Sequence, residues 1–545
     1  MASFLLLFVF SAFAILSTAF WWFILRKVGS SSPGEEEADM EYNGGSEKAD
    51  HLCVLVHGLW GKPAHLKSVA KALRDEFSED RVHILVVKSN AGYNTYDGVE
   101  TGGERVCAEI EEELASIERK RRSNGGADNK KSGRDDDGGD RQIKKLSVVG
   151  YSLGGLVARY AIGLLYARGA LEGLECMNFT AFASPFLGTR SPLKGWANTL
   201  FNVLGARTLS ASGHQLFGID SFRGTGRPLV AVLADPSSIF MAGLRRFKRR
   251  TLYANVVNDR TAVYYTTGIS KTDPFADLEA VTPRYVPGYE DVVLDRDEPC
   301  SPRGGKGQAP PTTSLRDAAH RYMTRVPLVL ALSVLLPVGV VAYLANAGWQ
   351  TVQSSRRRQL HEAGQGGVDV APYRESPPLL KDLRQAVEGA YEEITAANAE
   401  EYLDHDGGDD DDGGAVDSSS GSSSGSDSDS QHGAAGGDAQ EDMLGKKMKK
   451  DKTKKLTRSQ SASHDRRVLR RERRLSAARA EPTLALAAYQ FEAVDGLDSL
   501  GWRKYPVWIH DVGHSHAAII VRMDKPSFRE GWVVLRHWVK EEFLL

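Results

Sequence analysis

The chain has 545 residues, with 69 Lys plus Arg against 71 Asp plus Glu and a formal net charge of -2. Four scattered cysteines (Cys53, Cys107, Cys176, Cys300) exclude a disulfide-stapled scaffold, no C-x-x-C pair offers zinc ligands, and the composition excludes collagen and coiled coil. The near-neutral balance argues against a nucleic-acid binder, but it averages over blocks. Asp404–Asp442 holds 12 acidic residues and no Lys or Arg, whereas Lys446–Arg479 holds 15 Lys plus Arg against 3 acids.

From Ala2 to Leu25 no side chain is charged, and FLLLFVFSAFAILSTAFWWFIL is long enough to cross a bilayer at ~1.5 Å rise per residue. A cleaved signal peptide fits less well, because no basic region leads the run and Trp21 and Trp22 sit near its end like interface anchors. Arg26 and Lys27 follow it, so the positive-inside rule places the rest in the cytosol. Residues 1–28 are expected to be a membrane anchor and 29–49 a polar linker.

An alternation of apolar runs and helical spacing follows. HLCVLVH (51–57) reads as a buried strand, His65–Phe77 as a helix, VHILVVK (82–88) as a second strand and Gly98–Arg122 as a long helix. Ser123–Arg141, rich in Gly, Asp and Lys, reads as a surface insertion. Leu146–Val149 is the third strand, stopped by GYSLGG, with a helix over Leu156–Ala167. Met177–Ala183 and Thr251–Val257 add two more strands. The expected class is α/β, a mostly parallel central sheet with helices on both faces, begun over residues 50–300. A second uncharged stretch is most apolar at Val326–Ala347. Residues 404–480 read as a disordered acidic-then-basic insertion, and folded-looking sequence resumes over 482–545.

Gly150-Tyr151-Ser152-Leu153-Gly154 is a G-x-S-x-G between a predicted strand and a predicted helix, the context of a hydrolase nucleophile on a sharp turn. The glycines avoid Cβ clashes there, and the helix N-terminus stabilises negative charge beside the serine. An oxyanion hole needs two backbone donors. Leu153 N–H supplies one, and Leu59 or Trp60 N–H, in the loop His57–Gly61, supplies the other. His57 precedes Ser152, against the chain order serine, acid, histidine, so it is read as supporting that loop. For the acid, Asp259 closes LYANVVND and leads, while Asp235 closes PLVAVLAD and competes. For the base, His516 opens the run AAIIV after a Gly-containing turn, with His514 two residues away as its rival.

VLVHGLWGKPAHL, VVGYSLGGLVARY, NFTAFASPFLGTR, LYANVVNDRTAVYYTTGIS and HAAIIVR with GWVVLRHW resemble fungal members of the putative serine esterase family. These are lipase-like α/β-hydrolases that include a lipid-droplet phospholipase. The resemblance covers most of 51–294 and 482–540. It implies an α/β-hydrolase fold and places Ser152, Asp259 and His516 at the triad positions.

The expected function is cleavage of acyl esters of lipids (phospholipid or acylglycerol) through an acyl-enzyme on Ser152, with no metal or organic cofactor. A thioesterase or deacylase of lipidated proteins or glycolipid anchors is the alternative within enzymes, and a catalytically silent lipid-binding scaffold the alternative outside them. The expected partner is a membrane or lipid monolayer, with the basic tract either contacting anionic phospholipid headgroups or serving as a solvated tail or sorting signal, and no nucleic acid. The expected setting is the cytosolic face of the endoplasmic reticulum, a lipid droplet or the mitochondrial outer membrane. One conflict constrains this reading. A single crossing at Val326–Ala347 would put His516 across the membrane from Ser152, so either His320 is the base or the segment re-enters as a hairpin turning at Pro337 and Gly339. The hairpin is the expectation, a buried core helix its rival. Arg190–Gly226 is expected to be either a lid over Ser152 or an ordinary packed excursion.

Overall fold

The structure is a computed structural model that describes residues 41–124, 142–191, 196–303, 315–375 and 484–545. The expected anchor at 1–28 and the charged insertion at 404–480 lie outside these residues.

The strands form where buried β-branched and aliphatic runs are broken by Gly, Asn or Asp. They are β1 (His51–Val56), β2 (Val82–Val86), β3 (Lys145–Tyr151), β4 (Glu175–Phe182), β5 (Arg249–Asn255), a short antiparallel pair β6 (Val281–Pro283) and β7 (Cys300–Pro302), and β8 (Arg503–Val507). The main sheet has the order β2-β1-β3-β4-β5-β8, and every neighbouring pair is parallel. β8 is the strand that period and composition do not announce. RKYPV is short and carries Pro506, which a central strand would not accommodate, but β8 is the sheet edge, where a missing ladder donor is tolerated.

The helices used below are α1 (Lys67–Glu76), α2 (Gly98–Asn124), α3 (Leu153–Ala167), α4 (Trp196–Thr208), α5 (Ser210–Leu216), α6 (Leu229–Ala234), α7 (Ile239–Arg245), α8 (Leu315–Glu362), α9 (Ala488–Asp498), α10 (Ser515–Ala518) and α11 (Arg529–His537). Apart from the buried Arg159, α3 is apolar all round, and it is buried along nearly its whole length, between the sheet and helices α2 and α7. The approach of α2 is close enough that a Cβ on Gly103 would lie 2.5 Å from the Tyr160 ring. On the other face α1 and α11 pack into a core with β1, β2 and the C-terminal residues. There Trp538 is fully buried, its indole N–H donates to Thr180 Oγ1 (3.0 Å), and its ring meets Phe182 and Phe543 edge-on.

The apolar stretch departs from the expectation. Its backbone is α-helical without interruption from Leu315 to Glu362, so no reversal forms at Pro337 and Gly339. A proline inside a helix removes one donor and crowds the preceding turn, which bends a helix rather than reversing it. Among the described residues no helix is long and apolar enough to cross a membrane. The later part of α8 and the segment after it dock on α2 and on the turn before it through polar contacts: Arg357 on Asp97, His361 Nε2 with Glu104 Oε2 (2.8 Å) and Arg374 Nε on Glu104 Oε1 (2.9 Å), with both acids buried. The described part of the Arg190–Gly226 excursion carries α4, α5 and a short 3-10 turn at Phe222–Gly224. α5 packs on α2 and α8, and Thr208 of α4 accepts from Tyr343 Oη (3.0 Å).

Truncating Trp538 removes the largest fully buried side chain and strands the Thr180 hydroxyl. Trp538→Ala is expected to destabilise by about 3–5 kcal/mol, read as a fall of roughly 10 °C in thermal midpoint by calorimetry.

Candidate active site

All six strands of the main sheet run in one direction, so the loops after their C-terminal ends gather along one edge, where ligands meet such sheets. Ser152 lies in the turn from β3 to α3 with φ 55° and ψ -129°, a left-handed conformation costly for a residue with a Cβ. The glycines around it answer to space. A Cβ on Gly150 would lie 2.4 Å from Gly155 Cα, and one on Gly154 would lie 2.2 Å from Val56 O. Asp259 follows β5, and His516 lies in α10, after β8.

These three side chains form one hydrogen-bonded chain. Ser152 Oγ is 2.9 Å from His516 Nε2, and His516 Nδ1 is 2.8 Å from Asp259 Oδ2. With the Asp259 carboxylate fixing the proton on Nδ1, Nε2 is left to accept the serine proton. Asp259 is buried, and its Oδ1 accepts from the N–H groups of Thr261 (3.0 Å) and Ala262 (2.8 Å), while Asn255 Nδ2 donates to Oδ2 (2.9 Å). Burial pushes this carboxyl up, but the charge and hydrogen bond of His516, with the Ala262 and Asn255 donors, outweigh it and hold the group below its ordinary range.

The rivals fall elsewhere. Asp235 ends helix α6 rather than a strand, where it accepts from Arg227 Nη1 (2.5 Å) and Ser237 N–H (2.9 Å). His514 precedes α10 and is exposed. His57 is buried, its Nδ1 lies 3.2 Å from Gly58 O, and burial lowers it to about 4, so it sits neutral beneath its loop. The side chain of His320 lies outside the described residues.

The loop His57–Gly61 runs against the serine, where a Cβ on Gly58 would lie 2.6 Å from Ser152 Cβ. Of the two alternatives expected for its donor, Trp60 N–H is taken, because it donates to Thr95 Oγ1 (3.1 Å). Leu59 N–H and Leu153 N–H have no acceptor among the described hydrogen bonds, which narrows the alternatives to Leu59 beside Leu153. Sequence reasoning also missed Asn255 and Tyr151, whose hydroxyl donates to His516 O (2.9 Å) and ties the nucleophile turn to α10. The position of Asn255, four residues before Asp259 at a strand end, was a usable signal. Tyr151 gave none.

Residues 46–272 match the family described as Putative serine esterase (DUF676). The match to this esterase family includes Ser152 and Asp259 but stops short of the C-terminal segment that carries His516. The chain is 30% identical over 234 residues to "Putative lipase ROG1" of Saccharomyces cerevisiae, covering 41% of this chain and 29% of that protein. It is 25% identical over 239 residues to "Putative lipase C4A8.10" of Schizosaccharomyces pombe, covering 42% of this chain and 27% of the other. The chain thus spans less than a third of the length of the curated relatives it matches. A solved structure, "RedJ with PEG molecule bound in the active site", aligns with 41% of this chain and 74% of its own at 15% identity and a TM-score of 0.21.

Because a Cβ at position 58 meets Ser152, Gly58→Ala forces the loop back and withdraws Leu59 N–H. Phosphonylation of Ser152 by a fluorophosphonate probe is expected to slow 10²–10³-fold, about the effect of deleting one oxyanion donor, with the chain still folded by circular dichroism.

Proposed function

We propose that the protein is a serine ester hydrolase that cleaves acyl esters of lipids at a membrane or monolayer surface. The observation that carries the reading is the continuous Ser152–His516–Asp259 chain of 2.9 and 2.8 Å contacts beside the Leu59 and Leu153 N–H groups, which have no acceptor among the described residues. Ser152 Oγ attacks the ester carbonyl carbon while His516 Nε2 takes its proton, and the carbonyl oxygen, now negative, lies against the N–H groups of Leu59 and Leu153. His516 returns the proton to the departing alcohol, leaving an acyl-serine. Water then attacks the acyl-serine, giving its proton to His516 and from there to Ser152, and the carboxylic acid leaves. Asp259 stabilises the imidazolium in both halves without taking the proton itself.

The lipid part of the reading is supported by two features. The matched relatives bear the name "Putative lipase". α8 also leaves a run of large apolar side chains in solvent, Val341 at 68%, Val352 at 50% and Trp349 at 62% exposure, on the side away from the residues that dock on α2. Exposed apolar side chains grouped in this way mark interaction surfaces. The uncharged run at residues 2–25 suits the same surface.

Ser152→Ala and His516→Ala are each expected to abolish fluorophosphonate labelling and hydrolysis of a long-chain acyl ester presented in phosphatidylcholine vesicles. His514→Ala and Asp235→Asn retain both. Asp259→Asn lowers kcat by about 10⁴ by spoiling the histidine tautomer. Labelling that survives His516→Ala and is lost in His320→Ala would overturn the assignment of the base.

A further inference from the structure

The segment that follows the apolar stretch takes no part in the chemistry above, yet it is connected to the loop that does. Ser354 Oγ donates to Tyr96 O (3.2 Å). Arg357 lays its guanidinium on the buried Asp97 carboxylate with contacts of 2.8, 3.0 and 3.1 Å, and its Nη2 also donates to Tyr93 O (2.9 Å). All three acceptors lie in the turn Gly92–Tyr96 and its cap, Asp97.

That turn grips the oxyanion loop at three points. Thr95 Oγ1 accepts from Trp60 N–H (3.1 Å), Tyr96 Oη accepts from Trp60 Nε1 (2.8 Å), and Gly92 N–H donates to Gly61 O (2.8 Å). Trp60 holds φ 53°, a strained value that these bonds maintain. Leu59 is its immediate neighbour in the chain, and Gly58 abuts Ser152. Two hydrogen-bonded steps and one covalent step therefore join α8 to the donor at the reacting oxygen. The turn has other supports: Arg105 Nη2 also holds Asp97 (2.9 Å), and Ser212 Oγ donates to Thr95 O (2.5 Å). Removing Arg357 thus leaves Asp97 paired and the turn formed, but free to shift.

We propose that Ser354 and Arg357 are positioning residues for the oxyanion loop: the docked face of α8 sets the Gly92–Asp97 turn, the turn sets Trp60, and Trp60 sets the aim of Leu59 N–H. The proposal rests on the ester-hydrolase reading, and it makes α8 part of the catalytic apparatus rather than only a connector. Its physical basis is the steep dependence of transition-state stabilisation on donor placement, where a misplacement of about 1 Å costs up to 10²-fold.

The test uses the full chain, a water-soluble ester (p-nitrophenyl butyrate) and the fluorophosphonate probe. Arg357→Gln is expected to lower kcat about tenfold with KM unchanged and to slow Ser152 labelling by the same factor, while Arg357→Lys recovers part of the loss. Thr95→Val, which frees Trp60 N–H from the turn, lowers kcat comparably, and the double variant is no slower than the slower single because both cut one relay. Arg374→Gln is the control. It breaks the ion pair with Glu104 in the neighbouring segment without touching the turn, so it lowers the melting midpoint but leaves kcat within about twofold. Wild-type kcat in Arg357→Gln, an equal kcat loss in Arg374→Gln, or losses that multiply in the double variant would each overturn the proposal. Wild-type protein that neither labels nor hydrolyses would overturn the ester-hydrolase reading and this proposal with it.

Discussion

Five register pairs between β5 and β8, from Thr251↔Arg503 to Asn255↔Val507, join two distant stretches of chain at the sheet edge. Because the pairing is parallel, both strands deliver their following loops to the same end of the sheet, and Asp259 and His516, 257 positions apart, meet at 2.8 Å. A slip of one residue would turn every side chain of β8 over and carry α10 away from Ser152. The register is held by more than the ladder. Arg503 pairs with the buried Glu542, Tyr505 Oη donates to that carboxylate at 2.7 Å, and Thr251 Oγ1 donates to it at 3.1 Å, so the chain's last helical turn locks both strands.

Around this frame the site divides its electrostatics. Asp259 is kept charged in a buried position by backbone and amide donors fixed before any substrate arrives, so the imidazolium it must stabilise meets a prepared environment. His57, close beneath the oxyanion loop, is kept neutral by burial, which spares that loop a competing positive charge. Farther out, two buried acids are each given partners. The ties of Arg357 to Asp97 and of His361 and Arg374 to Glu104 buy specificity of docking, placing one face of a long helix where nonspecific apolar contact would leave its rotation open.

Much of the site was legible in short windows. G-x-S-x-G between a strand and a helix located Ser152, because only that local geometry needs glycine on both sides of a strained residue. Asp259 was separable from Asp235 only in part. Both end apolar runs, and a short apolar run does not reveal whether it folds as strand or helix. Leu229–Ala234 is a helix because it packs against α9 and α7, which a window of six residues does not disclose. The same blindness produced the expected hairpin in α8. Pro337 and Gly339 are turn residues in isolation, yet the backbone passes through them as helix. Trp60 illustrates the reverse case, a residue in the right loop whose N–H is claimed by Thr95, a partner 35 positions away.

Sequence by itself determined the residue types and the order of the chemistry: the alternation that makes a parallel sheet, the nucleophile turn, and an acid and a histidine downstream of it. Each follows from local sterics and periodicity, which act over a few residues. Tertiary structure alone decided which acid and which histidine meet the serine, which N–H groups stay free, and that α8 reaches the oxyanion loop through the Gly92–Asp97 turn. Those outcomes depend on strand register and on distances of about 3 Å between residues far apart in the chain, and no local rule carries that information.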